Sequence, residues 1–598
     1  MFECRRYLNK LGLVSYFMVI SSLIFFMLYR SCGVWSFVCQ HTGRHEPVFL
    51  NIINNDAIVV GIVLLLLYLG FFNTLIKSIK WLAYLSKAVV IFITLFYAVD
   101  ALLLLKIYKR LHYQDIAKYG LEIKAGLSFL APVKAIFFNF LSIEVIGFVF
   151  GVIFLSFVLS FITFQFRDDH KKAHSRLLLI SGFCFVLFSF FPMKRIYLHG
   201  GVYQNIFAYN MPKGFDRQYS SGFITALEEK REKRKKNCEG LGKRNNIILL
   251  IVESLSSCQS KFFSGLNNFT PRLDEIAKEN MSFTNFFANG STTEQGLIAL
   301  LLGKVPLIGV DAGSRGAFKG HYQCKSLATL LKKADYETYF LTTGDLSFTN
   351  KGAWLEQIGF DVIEGSKISF YKGWPKFTFN AAPDEALYAY AIKKILEQNS
   401  NKRPYFMVLE TVSSHLPLID PEGLSNTEKS VFTYVDRQLG LFYRELEDLG
   451  FFGNGMLIIT SDHRIMAPLS SVELDIYGGS AFARIPMVVA LGGKRKEIVN
   501  TCFQQTDLYS SLEWFVAKQY KRVQWDGNFL HHKPEPPFCI LTHTANDLDL
   551  VYARCGLEEG YIKLEGDKTR LVRGRIDPKK LPEIIEKINR IRIFRDKK

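Results

Sequence analysis

Two apolar runs in this sequence stop abruptly at residues that carry charge or a labile proton. Ile247–Val252 is an unbroken β-branched and leucine run ending at Glu253-Ser254, and Met456–Thr460 ends at Ser461-Asp462-His463. Runs of that length read as buried central strands. An ionised carboxylate cannot sit unpaired in such a core. Glu253 and Asp462 therefore belong at strand tips, where α/β sheets hold their ligands. Between the two runs lies Asn289-Gly290-Ser291-Thr292-Thr293-Glu294-Gln295-Gly296-Leu297, a hydroxyl-rich turn flanked by glycines and followed by a leucine-rich helix. Two carboxylates, an imidazole and the Thr293 hydroxyl make a set that suits one divalent metal, zinc or manganese. Threonine is a feeble nucleophile at neutral pH, and a neighbouring metal would activate it. Taken singly, the residues have plainer readings: Glu253 caps a helix, Asp462-His463 is a turn, and Thr292 and Thr293 cap the helix after them.

Further polar residues follow other strand-like runs. Thr411-Val412-Ser413-Ser414-His415 comes directly after Tyr405–Glu410. A histidine there can give a proton to a leaving alkoxide or take one from an incoming alcohol; its plainer reading is a loop histidine in solvent. Gly344-Asp345 follows Thr338–Leu341, with Phe348, Lys351 and Trp354 beyond it, and Lys351 can pair with a phosphate oxygen. Asp384-Glu385 reads as a helix start, where acidic residues suit the dipole.

These residues need a scaffold. Thr270-Pro271 before Leu273, Ile276 and Ala277 is a helix start. Thr338–Leu341, Tyr405–Glu410, Met456–Thr460 and Ile485–Ala490 read as strands separated by helical stretches, which implies a mostly parallel sheet sandwiched by helices. Phe538–Leu541, Leu548–Ala553, Gly560–Leu564 and Arg570–Val572 are short strand-like pieces of a small C-terminal antiparallel subdomain. Leu581–Ile593 then reads as a basic amphipathic helix.

The amino-terminal third is different. Of 598 residues 49% are hydrophobic, 53 are Phe, and mean hydropathy is positive, which is too apolar for an ordinary soluble protein. The excess lies in five candidate transmembrane helices, Leu11–Tyr29, Ala57–Ile76, Ala88–Leu105, Val145–Phe166 and Leu177–Met193. The first has no small-residue cleavage site and reads as an uncleaved helix rather than a signal peptide. Arg5, Arg6 and Lys10, then Lys77, Lys80 and Lys87, then Arg167, Lys171, Lys172 and Arg176 mark cytoplasmic loops, which places everything after Met193 outside the cytoplasm. The basic loop Lys106–Lys134 runs against this, and Leu111–Leu130 within it reads as a helix along the membrane or a plain connector. Asp100, costly in lipid, is expected to face other helices. The resulting organisation is 1–193 as a five-helix transmembrane domain, 194–244 as a basic linker with interfacial helices, 245–530 as the catalytic domain and 531–598 as the C-terminal subdomain and helix. Within the linker, Phe223–Lys236 reads as a solvated helix or one held against anionic headgroups. The formal charge of +18 suits contact with anionic headgroups; with no nucleic-acid-binding motif beside it, nucleic acid is a poor partner. Ten scattered cysteines form no Cys-x-x-Cys pair. Cys32 and Cys39 could pair in an oxidising space.

Four segments carry a resemblance: Ile251-Val252-Glu253-Ser254, Phe286-Phe287-Ala288-Asn289-Gly290-Ser291-x-Thr293-x-x-Gly296, Ser413-Ser414-His415, and Ser461-Asp462-His463. Together they resemble the lipoteichoic acid synthase and phosphoethanolamine transferase family, membrane-anchored members of the alkaline phosphatase and sulfatase superfamily. The resemblance implies Glu253, Thr293, Asp462 and His463 as metal ligands, and Thr293 as nucleophile by its count from Gly290 and Gly296, with Thr292 the competing choice. It implies His415 in the substrate pocket and Asp345, Lys351, Trp354 and Thr292 as headgroup contacts. Many lipoteichoic acid synthases carry a histidine near Asp345; a carboxylate there suits a cationic headgroup such as ethanolamine. No Cys-x-Pro-x-Arg follows Glu253, which disfavours sulfate ester hydrolysis. The implied activity moves phosphoethanolamine or phosphoglycerol from phosphatidylethanolamine or phosphatidylglycerol to an envelope glycan or lipid, through a phosphothreonine, on the periplasmic or extracytoplasmic side of a bacterial inner membrane. Two alternatives stand beside it: a non-catalytic envelope-lipid-binding regulator, and a phosphodiesterase that hydrolyses the same substrates.

Overall fold

The structure, a computed structural model, describes residues 27, 48–71, 80–107, 110–111, 179–184, 186–187 and 205–210 of the first 218. From 219 onward it describes all but 230–235, 308–317, 319–324, 399–402, 468, 493–495, 523–524, 545–548 and 595–598. The chain divides into two compact units, residues 1–116 with 133–212 and residues 117–132 with 213–598.

In the first unit α1 (Val48–Phe71) and α2 (Lys80–Ile107) pack through Val59, Val63, Val90, Ile93 and Tyr97. They fall on the second and third expected spans. The fifth span is helical at the residues described; the fourth, the first apart from Met27, the Leu111–Leu130 helix beyond Leu111 and the Cys32–Cys39 pair lie outside the described residues. Among the described residues no helix is long and apolar enough to cross a membrane. Asp100 is fully buried, as expected of a carboxylate facing neighbouring helices. It accepts hydrogen bonds from Arg110 Nε at 2.9 and 3.0 Å and from the Leu111 N–H at 2.9 Å. Arg110 is one of the basic residues that set the Lys106–Lys134 loop against the orientation rule, and its charge answers Asp100.

The second unit is built on an eight-stranded sheet of β1 (Asn246–Val252), β2 (Met281–Phe283), β3 (Glu337–Thr342), β4 (Val362–Glu364), β5 (Tyr405–Glu410), β6 (Gly455–Ser461), β7 (Val488–Leu491) and β8 (Glu497–Val499). Their spatial order is β8-β2-β7-β6-β1-β5-β3-β4. Strands β6, β1, β5, β3 and β4 are parallel neighbours; β7 is antiparallel to both β6 and β2, and β8 is parallel to β2. Only β7 opposes the rest. Ile247 to Val252 of β1 are fully buried, as a continuous apolar run requires of a strand covered on both faces. The expected strand Ile485–Ala490 is two pieces. Arg484–Ile485 pairs with Phe286–Phe287, and the main sheet resumes at Val488, because Pro486 has no N–H for a ladder.

The covering helices include α3 (Pro271–Glu279), α4 (Thr293–Leu302), α5 (Asp384–Gln398), α6 (Glu428–Asp448) and α7 (Asp507–Val516). Proline starts α3 as expected with Thr270 at the N-cap position, but the Thr270 hydroxyl makes no capping hydrogen bond. The Asp436 carboxylate accepts from the Arg272 and Leu273 N–H groups at 2.8 Å each, and burial pushes that carboxyl up to about 7. The expected helix Phe223–Lys236 is instead a helix at Ser221–Glu229 and, from Lys236 to Glu239, a strand paired with Gln519–Arg522. At the C-terminal end β9 (Ile540–His543), β10 (Leu550–Cys555), β11 (Glu558–Lys563) and β12 (Arg570–Arg575) form an antiparallel meander. Helix α8 (Leu581–Ile593) packs Ile584 and Ile588 onto its Val551, Ala553 and Ile562. A Cys539–Cys555 disulfide, which the sequence pattern did not single out, joins β9 to β10.

Candidate active site

β1 lies between β5 and β6, all three parallel, so their carboxyl ends share one edge. The register sets Ile251 opposite Glu410 and Val252 opposite Ser461. The residues just past those pairs are fastened together. The Glu253 N–H donates to Thr411 Oγ1 at 2.9 Å, the Ser254 N–H donates to Asp462 Oδ1 at 2.9 Å, and the Ser414 hydroxyl donates to the Glu253 carbonyl at 2.5 Å. Ser254 holds φ at +57°, a left-handed conformation costly for a side-chain-bearing residue and found where a site overrides local preference.

Glu253, Asp462 and His463 are buried, and their ligand atoms lie within 4.8 Å of one another. His463 Nδ1 is 2.8 Å from the Arg464 carbonyl, which can only accept, so Nδ1 carries the proton. In the neutral ring Nε2 then presents a lone pair, 3.2 Å from Asp462 Oδ2 and 3.6 Å from Glu253 Oε1. Among the described residues neither Asp462 Oδ2 nor His463 Nε2 has a hydrogen-bond partner. Three electron-rich atoms facing one another in a buried space call for a cation between them. Burial, and then the Asp462 charge, hold the Glu253 carboxyl well above the usual carboxylate range, a cost that a bound cation removes. The donor set of two carboxylates, an imidazole and a hydroxyl fits the one zinc or manganese ion expected from sequence.

The hydroxyl comes from α4. Thr292 is its N-cap and accepts from the Gln295 N–H at 3.4 Å, while Thr293, the first helical residue, donates to Glu253 Oε2 at 3.3 Å. The geometry separates the two threonines: one closes the helix and the other faces the carboxylates. Both glycines of the motif are positions of close approach. A Cβ on Gly290 would lie 2.3 Å from Gln295 Cβ, and one on Gly296 would lie 2.1 Å from the Asp462 carbonyl oxygen. Gln505, fully buried, clamps the turn to the metal-ligand loop. Its Oε1 accepts from the Asn289 N–H at 2.9 Å, and its Nε2 donates to the Ser461 and Asp462 carbonyls at 2.8 and 2.7 Å. Nothing in the sequence spacing marked Gln505, and the segment that contains Thr411 and Ser414 singled out His415 rather than those two hydroxyls, because these roles arise from chain segments brought together by the sheet.

His415 is half-buried. Its Nδ1 donates to the Leu416 carbonyl at 2.5 Å and its ring meets Phe379 edge-on at 4.6 Å. Burial, reinforced by the nearby His463, pulls it down to about 4, so the imidazole is neutral with Nε2 as its basic atom. Asp384, which opens α5, fixes this loop: its Oδ1 accepts from the Val412 and Ser413 N–H groups at 3.0 Å each. Three sequence expectations change. Lys351 pairs with the buried Glu410 at 2.6 and 2.8 Å, so its charge is answered at the end of β5. Asp345 Oδ1 accepts from the Ser347 N–H and hydroxyl at 2.9 and 2.7 Å, which closes its own turn. Trp354 is not a headgroup contact: it is fully buried in the main core and stacked on Phe318 at 4.1 Å.

Residues 245–515 match the family model described as Sulfatase. Among curated proteins, the chain is 26% identical over 301 residues to lipoteichoic acid synthase 1 of Bacillus subtilis, covering 46% of each chain. It is 23% identical over 246 residues to phosphoglycerol transferase I of Escherichia fergusonii, covering 37% of this chain and 31% of that one. The chain thus matches less than half the length of each of these two relatives. Among solved structures, a protein in the alkaline phosphatase superfamily from Vibrio parahaemolyticus aligns with a TM-score of 0.49 at 19% identity, over 65% of this chain and 96% of that one. The lipoteichoic acid synthase LtaP from Listeria monocytogenes aligns with a TM-score of 0.46 at 19% identity, over 62% and 96%.

Proposed function

We propose, on the premise that residues 245–515 are a domain of the sulfatase family, that this chain is a metal-dependent transferase of phospholipid headgroup phosphates, anchored in a membrane. The observation that carries the reading is the convergence of Asp462 Oδ2, His463 Nε2 and Glu253 Oε1, with Thr293 Oγ1 hydrogen-bonded to the same glutamate. Glu253, Asp462, His463 and Thr293 would hold the ion. When bound, a divalent cation offsets charge on the phosphate oxygens and makes the threonine hydroxyl more acidic. Thr293 Oγ forms the bond to phosphorus as the bond to the diacylglycerol oxygen breaks, and the threonine's proton leaves on the diacylglycerol hydroxyl. An acceptor hydroxyl then takes the group from the threonine; neutral His415 receives that hydroxyl's proton at Nε2 and returns it to the freed Thr293 Oγ. A regulator that only binds lipid would have no use for so complete a ligand set.

The names of the curated relatives favour phosphoglycerol over phosphoethanolamine as the group moved. The Asp345 geometry agrees, since the carboxylate that would greet an ammonium is engaged in its own turn and lies 4.0 Å from Lys367 Nζ. Anchoring rests on the five apolar stretches and on α2, whose Ile91, Phe92, Leu95 and Val99 are exposed, which suits lipid better than water. The Cys539–Cys555 disulfide supports an oxidising, extracytoplasmic setting for the second unit.

The test is intact-mass analysis of the detergent-purified chain with zinc or manganese after incubation with phosphatidylglycerol, and separately with phosphatidylethanolamine. A headgroup-phosphate adduct mapping to Thr293 and lost in Thr293→Ala is expected with phosphatidylglycerol. No adduct with either lipid and no bound metal would refute the reading. Turnover with water alone, without an added acceptor, would make the chain a phosphodiesterase.

A further inference from the structure

Arg484 is a buried arginine, 8% exposed, in the β-bridge that leads to the nucleophile's turn: it stands directly opposite Phe287, six residues before Thr293. Its guanidinium lies 4.3 Å from the Tyr477 ring centroid and 5.0 Å from that of Phe287. Its hydrogen bonds go to neutral acceptors only, the Ser480 hydroxyl at 3.2 Å, Asn285 Oδ1 at 2.7 Å and the Thr284 carbonyl at 3.4 Å. Among the described residues no carboxylate pairs with it. A second guanidinium, Arg554 at the end of β10, lies 5.9 Å from the same Phe287 ring. After burial, the charge of Arg554 is the largest influence on Arg484, and it is repulsive. Arg554 has one weak carboxylate contact, Glu559 at 3.4 Å, and Glu559 also accepts the Tyr552 hydroxyl at 2.5 Å.

A buried positive charge without a counter-charge is expensive, and two that face one ring are more so. The flanking rings offset part of this by cation–π attraction, and neutral acceptors hold the fork in place. What Arg484 lacks among the described residues is an anion of its own, and Glu559 answers Arg554 only weakly. Arginine is the side chain that grips phosphate oxygens with paired N–H groups, and aromatic walls exclude competing water.

We infer that Arg484 and Arg554 form an oxyanion site, separate from the metal centre, that holds a phosphate group. Six residues of chain span at most about 21 Å, so the backbone of Phe287, whose ring both guanidiniums face, lies within that distance of Thr293. Resting on the function proposed above, the site's occupant is a phosphate of the acceptor, and the enzyme thereby favours acceptors that already carry phosphate over neutral glycans.

The test uses the full chain in detergent, with the Thr293→Ala substitution and metal stripped by chelator, so that the metal centre contributes no binding. Titrations by calorimetry use inorganic phosphate and glycerol 1-phosphate, with phosphatidylglycerol nanodiscs as a third arm that separates a soluble phosphate from a lipid headgroup. Soluble phosphate is expected to bind, and Arg484→Met and Arg554→Gln are each expected to weaken it at least about tenfold. Arg554→Gln, at a side chain 19% exposed, decides the matter if Arg484→Met does not fold. Binding unchanged in Arg554→Gln, binding seen only with metal restored, or binding confined to the nanodiscs would each overturn the proposal. Because no arm requires turnover, a chain that binds phosphate here but never forms the Thr293 adduct would keep this site and lose the transferase reading.

Discussion

Replacing Gly296 with alanine would part Thr293 from Glu253, Asp462 and His463 without altering any of them. The new Cβ would lie 2.1 Å from the Asp462 carbonyl oxygen, 2.7 Å from its carbonyl carbon and 2.8 Å from its Cα. All three are backbone atoms, held by β6 and by the Gln505 amide, so no flexible side chain can swing aside. Real Cβ atoms come no closer than about 3.0 Å, so α4 and the Asp462 backbone must separate by about 0.9 Å. Thr293 is in the same helical turn and moves with it. Its 3.3 Å hydrogen bond to Glu253 would open to about 4 Å, beyond hydrogen-bond reach. A displacement of about 1 Å in a reacting group costs on the order of 10²-fold in rate, equivalent to about 2.7 kcal/mol of barrier. Overpacking costs about 1–3 kcal/mol of stability, which leaves the domain folded. The assay is the rate of headgroup adduct formation on Thr293 at saturating metal, with near-ultraviolet circular dichroism as the folding control. A folded Gly296→Ala protein that forms the adduct within about threefold of the parent rate would refute the argument, because it would show that the helix-to-ligand spacing does not matter.

Three further outcomes are expected. Gln505→Leu leaves the Asn289 N–H and the Ser461 and Asp462 carbonyls without their partner, and loss of such an orienting group lowers metal affinity about 10- to 100-fold; manganese titration followed by electron paramagnetic resonance checks this, and unchanged affinity would remove the clamp from the site. His415 sheds its proton in the folded chain near 4 but would hold it to about 6.5 when unfolded, so the unfolded state binds more protons and stability is lost as pH falls from about 6.5 towards 4. His415→Gln should flatten that limb in urea unfolding, and a slope identical in parent and variant would contradict the neutral imidazole. Cys555→Ser opens a cross-link between residues 16 apart and should cost about 3 kcal/mol of stability, read by chemical unfolding; an unfolding midpoint insensitive to reductant in the parent would show that the disulfide is not formed.

Much of this site was legible before any coordinates. An apolar run that ends on a carboxylate can be satisfied only at a strand tip, so Ile247–Val252 with Glu253 and Met456–Thr460 with Asp462-His463 located two walls of the site. The glycines around Thr293 were legible as flanks of a hydroxyl-rich turn, whereas the close approach they permit, 2.1 Å from the Asp462 carbonyl oxygen for a Cβ on Gly296, belongs to the fold. Other features were invisible for a physical reason. Trp354 and Lys351 occur a few residues after a strand that ends near the site, and the resemblance, carried over by position along the chain, made them headgroup contacts. The fold turns the indole into the core and sets the ammonium against Glu410, a residue 59 positions away. Thr292 and Thr293 are chemically equivalent as letters, and only the N-cap geometry, which spends one hydroxyl on the helix, gives the other to Glu253. Gln505 and Arg484 acquire their roles from partners more than 40 and nearly 200 residues distant respectively, across segments that the sheet order alone makes neighbours. The sequence by itself determined which groups were available for chemistry and which of them end a strand or open a helix. The tertiary structure decided which of them meet, because hydrogen bonds and charge pairing act over a few ångströms of space and carry no memory of separation along the chain.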